Sequence, residues 1–75
     1  MSYTIMHTVD TASEMGLALA KIGDEYRVEI HHEHEHSAKT FETLNDAYRA
    51  YEKISYCIAF GLYSVQQRRE MLNEY

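Results

Sequence analysis

The chain has 75 residues, enough for one domain, and a chain this short buries only about 60% of the surface that its unfolded form exposes. Seven Lys and Arg against twelve Asp and Glu leave a net charge of −5, so no basic stripe is available to displace counterions, and direct nucleic-acid binding is excluded. Cys57 is the only cysteine, which rules out a disulfide framework and fits a reducing, cytoplasmic setting; residues 1–10 lack the basic start and apolar run of a secretory leader, and the nearly apolar stretch from Cys57 to Val65 is far short of the roughly 20 residues that a membrane span needs.

With no proline and little glycine, no linker divides residues 1–75, which are read as a single domain. Residues Tyr3 to Val9 alternate weakly and suit either a short strand or a loose terminus. Thr11-Ala12-Ser13-Glu14 has the form of a capping box and would open a helical turn ending at Gly16, or a longer helix reaching Gly23. A hairpin competes with that helix and is preferred. A two-residue turn at Gly23-Asp24, glycine first as a type II′ turn favours, sets Lys21 opposite Tyr26, Leu19 opposite Val28 and Leu17 opposite Ile30. That register sorts both strands at once into an apolar face of Leu17, Leu19, Tyr26, Val28 and Ile30 and a wet face of Ala18, Ala20, Arg27 and Glu29. Lys39-Thr40-Phe41-Glu42 reads as a third strand.

Thr43, with Asp46 three residues on, marks a helix start. Leu44, Tyr51, Ile58, Val65 and Leu72 then recur every seven residues. Unbroken from Leu44 to Asn73, this helix would run roughly 45 Å at 1.5 Å per residue, too long for a globule whose radius of gyration should be about 11–12 Å. Either Gly61 breaks it into two helices, or its far half extends to meet a partner. The expected fold is therefore α+β: a small antiparallel hairpin or three-stranded sheet packed against a long C-terminal helix, with a break near Gly61 as the alternative.

Two features carry the functional expectations. Ile58, Leu62 and Val65 continue one apolar face of the helix, while Tyr56, Phe60 and Tyr63 form another on nearly the opposite side. A helix apolar all round must be buried all round, and a single sheet covers only one side. These six residues are accordingly read as an interface, first for a homodimer, with fold-back of the C-terminal half or docking of another protein as competitors. The second feature is His31-His32-Glu33-His34-Glu35-His36. In a continuing strand His32, His34 and His36 share a face, and neighbours two apart lie about 6.5–7 Å from each other, within reach of one zinc ion. His36 could join only if the strand bends; His7 or a symmetry mate are other sources of a third ligand. The competing reading is a solvated, charge-rich hairpin end that resists edge aggregation, or one whose histidines respond to pH.

Catalysis has little to rest on. Cys57 sits within an apolar helix, no serine lies in a glycine elbow, and there is no phosphate-cradling glycine loop. Gln66, Gln67, Arg68 and Arg69 read as a solvated helix end or a contact for an acidic surface. The leading expectation is a non-enzymatic acidic interaction protein, a regulator, adaptor or inhibitor that binds another protein. One form of it is an inhibitor of a nucleic-acid-handling enzyme of the kind phages use against host defence. A histidine-rich divalent-metal module and a purely structural self-assembling subunit are the alternatives.

Overall fold

A computed structural model describes residues 3–10, 15–32 and 35–75. The elements run β1 (Tyr3–Asp10), β2 (Met15–Ile22), β3 (Glu25–His32), β4 (Glu35–Phe41), α1 (Leu44–Ala59) and α2 (Val65–Asn73). The strands form an antiparallel sheet in the order β1-β2-β3-β4, and both helices pack on one of its faces. The α+β class is as expected, with one strand more than the sequence suggested; the helix is divided. The postulated capping box at Thr11–Glu14 lies outside the described residues. The longer helix to Gly23 does not form, since Met15–Ile22 is a strand.

The β2–β3 register is the one derived from alternation: Lys21 pairs with Tyr26, Leu19 with Val28 and Leu17 with Ile30. Gly23 takes φ +60°, and Asp24 is not among the positive-φ residues, which fits glycine at the first central position of a type II′ turn. The weak alternation of residues 3–9 also has a cause. Ile5 pairs with Ala20 and His7 with Leu19, so a bulge at Met6 inserts one residue and reverses the parity of β1. Tyr3 and Ile5 before the bulge, and Thr8 after it, consequently share a face with Ala18, Ala20 and Glu29.

The core lies between sheet and helices. Leu17, Leu19, Val28 and Ile30 meet Ala47, Ala50, Tyr51 and Ile54 of α1 and Leu72 of α2, with Ile58, Val65 and Met71 packed around them. Thr43 caps α1, its hydroxyl accepting from the Asp46 N–H at 3.2 Å. Helix α1 ends in a Schellman arrangement. Gly61 at φ +64° donates to the Ile58 carbonyl at 3.2 Å, and Leu62 donates to the Cys57 carbonyl at 2.8 Å. Two residues later Ser64 opens α2 with a reciprocal capping box to Gln67. A stop and a start signal so close together fold the chain back, and the radius of gyration is 11.5 Å.

Arg68 locks this corner. It is 9% exposed, not solvated as its neighbours in sequence suggested. Its Nε donates to the Leu62 carbonyl at 2.9 Å and its Nη2 to the Cys57 carbonyl at 3.3 Å, which thereby accepts a second hydrogen bond beside that from Leu62 N–H, so the guanidinium ties the end of α1 to the turn that follows it. At the far end of α2, Lys39 Nζ on β4 donates to the carbonyls of Asn73 and Tyr75.

Candidate metal centre

Chain reversal between β3 and β4 decides what the histidines do. The strand does not run on through residue 36: β3 ends at His32, β4 begins at Glu35, and His36 returns directly opposite His31. His36 thus joins His31 and Glu29 on the face away from the helices. His32 pairs with Met15 and Glu35 and falls, with Ile30, on the other face. The single face expected for His32 and His36 is therefore corrected, because a hairpin pairs residues by register where a continuous strand pairs them by parity. His34 and the side chain of His7 lie outside the described residues.

The group that comes together is Glu29, His31 and His36. One ligand atom from each lies within 4.8 Å of the others, and this Glu/His/His set could hold a metal ion. His36 Nε2 is 3.1 Å from Glu29 Oε2, His31 Nε2 is 4.0 Å from the same oxygen, and the two imidazole centroids are 4.4 Å apart. Four bonds of 2.0–2.1 Å around a tetrahedral ion place neighbouring ligand atoms about 3.3 Å apart, so both contacts need to change by less than about 1 Å.

Glu29 is 4% exposed although, among the described residues, no helix covers this face. Side chains from both flanks enclose it. The Tyr3 hydroxyl, carried across the small residues of β2, donates to Oε1. Arg27 Nη1 stands 3.7 Å from Oε2. Burial by itself pushes the Glu29 carboxyl up; the Tyr3 and His36 hydrogen bonds and the charges of His31 and Arg27 more than offset it, and the net direction is down. The same contact raises the Tyr3 hydroxyl, because a phenolate could not donate to the carboxylate. Tyr3 thus fixes one oxygen and leaves Oε2 turned towards the imidazoles, as an outer partner orients a metal ligand.

The predicted interface residues separate into two sets. Ile58 and Val65 pack against the core. Tyr56, Phe60, Leu62 and Tyr63 stay exposed, Phe60 at 66%, and the Tyr56 and Phe60 rings lie 4.6 Å apart. Fold-back of α2 thus occurs without covering Tyr56 and Phe60.

Sequence reasoning missed Glu29 and His31 as partners of His36. The signal was present in the hairpin rule: once one register places Glu29 on the wet face, His31 must follow it two residues later. The chain matches no protein-family model, no curated protein and no solved structure. Among the described residues, no helix is long and apolar enough to cross a membrane.

Proposed function

We propose that the chain is a small binding protein that takes a divalent metal ion, zinc by its donor set, at Glu29, His31 and His36. Imidazole nitrogen and carboxylate oxygen are ligands that zinc favours. The observation that carries the reading is the convergence of three donor atoms within 4.8 Å around a carboxylate that is almost wholly buried and already oriented by Tyr3. Binding would draw Oε2 away from Arg27, so the Arg27 charge competes with the ion. Calorimetric zinc titration tests the proposal. Wild type should take up one equivalent. His31→Ala and His36→Ala should each weaken binding at least tenfold, His32→Ala should leave it unchanged, and Arg27→Ala should tighten it. Loss in His32→Ala with no loss in His31→Ala would refute this ligand set.

A second reading is supported by the exposed Tyr56, Phe60, Leu62 and Tyr63, which make a patch of the composition that protein interfaces favour. On this reading the chain acts by protein-protein contact, first with a second copy of itself. Phe60→Glu should then lower the sedimenting mass from dimer to monomer. A wild-type protein already monomeric at high micromolar concentration would remove the self-association form of the reading.

A further inference from the structure

The open face holds more than the three donors. Along β2 the residues facing away from the helices are Gly16, Ala18 and Ala20, alternating with Leu17 and Leu19 on the core side. Small side chains here leave a trough over β2 between two walls. Tyr3, Ile5 and Thr8 of β1 form one wall, and Glu29 and His31 of β3 form the other. The resulting depression has a volume of about 300 Å³, the lower end of the range for small-molecule sites. Two of its lining residues are thus two of the three candidate metal ligands.

We propose that a metal ion held by Glu29, His31 and His36 keeps an open coordination position that takes a small anionic oxygen donor, a short-chain carboxylate or hydroxamate, seated in this depression. The inference rests on the metal reading above. Three ligands from the described residues leave a four-coordinate ion one position short, the arrangement found where metals bind exchangeable ligands. Charge selects the ligand's sign. A divalent ion with one carboxylate and two neutral imidazoles keeps a positive charge, and Arg27, within 3.7 Å of Glu29, adds to it. Shape selects its size. The floor at Ala18 and the wall at Ile5 are apolar and suit a short alkyl tail, while the Thr8 hydroxyl on the rim offers a donor to a second oxygen. No bond is made or broken beyond ligand exchange at the metal, with bound water released.

Cobalt(II) substitution with acetohydroxamate as probe separates this inference from the reading beneath it. Cobalt alone should produce visible d–d absorption that disappears in His31→Ala. Acetohydroxamate should then change band position and intensity in a saturable way. In Ala18→Leu, which fills the trough, cobalt absorption should persist while hydroxamate affinity falls at least tenfold; Thr8→Val, a milder change at the rim, should lower it severalfold. Cobalt absorption in wild type that does not respond to hydroxamate would overturn the inference and leave the metal reading standing. An equal response in wild type, Ala18→Leu and Thr8→Val would overturn the seat in the depression. Failure of cobalt to bind at all would overturn both.

Discussion

One sheet presents two faces, and each is held by a different device. The inner face carries Leu17, Leu19, Val28 and Ile30, and separate elements, α1 and α2, close over it. The outer face carries Ala18, Ala20, Arg27, Glu29, His31 and His36 and, among the described residues, receives no helix. Yet Ala18, Ala20 and Glu29 are buried there too. Tyr3 of β1 reaches across β2 to Glu29, and Arg27, His31 and His36 flank the same carboxylate. The inner face is thus held by apolar area, which is non-directional, and the outer face by a few directional contacts around one carboxylate. The first arrangement makes a core and the second makes a site.

The largest effect that separates the two faces should come from Leu19→Ala. Leu19 is fully buried, and losing it should cost about 2–5 kcal/mol, read as a lower urea midpoint. In a domain this small that is a large share of its stability, so a cost under 1 kcal/mol would mean that the helices do not close the inner face as described. Arg68→Ala comes next. It strips two hydrogen bonds from the end of α1, and about 1.5–3 kcal/mol should be lost, as expected for bonds from a charged donor. Arg68→Lys should recover only part, because one ammonium cannot reproduce the forked geometry.

Sensitivity to pH sharpens the contrast in metal-free protein. Glu29 has its carboxyl lowered in the folded state, so its contribution is present above the unfolded carboxyl range and is lost as pH falls through the lower folded value. Tyr51 is raised by burial and by neighbouring Tyr48, so its contribution is present below about pH 10 and is lost as pH rises through the higher folded value. Tyr3 on the outer face is raised as well and adds to the alkaline loss. Melting curves should therefore show an acid limb that Glu29→Gln flattens and an alkaline limb that Tyr51→Phe and Tyr3→Phe each reduce. An acid limb untouched by Glu29→Gln would remove the outer face from the stability of the fold. The smallest effect concerns the corner between the helices. Tyr63 takes φ +64°, where a Cβ costs about 1–2 kcal/mol against about 0.5–1 kcal/mol of extra chain entropy for glycine, so Tyr63→Gly should stabilise by about 0.5–1 kcal/mol, read as a higher urea midpoint.

Much of the inner face was legible. The period-two pattern of residues 17–30 with a glycine-first turn allows one register only, since a slip of one residue would send Leu17 and Leu19 to the other side. Thr43 and the seven-residue recurrence were legible for the same reason: local chemistry and periodicity belong to short stretches of chain. The break at Gly61 was open between two readings, although Ser64-Val65-Gln66-Gln67 is a second start signal immediately after it. Strand β1 was obscured because the bulge at Met6 interrupts its alternation.

The sequence by itself determined the α+β class, the β2–β3 register and the sheet side of the core, Leu17, Leu19, Val28 and Ile30, because patterning of apolar residues and turn chemistry act over a few positions. Only the tertiary structure decided the site. Whether His36 stands beside His32 or opposite His31 depends on where the chain reverses, and Tyr3 reaches Glu29, 26 residues away, only through the pairing of β1 with β2. The candidate ligands converge through strand register, which is a property of pairs of segments and is written in neither segment alone.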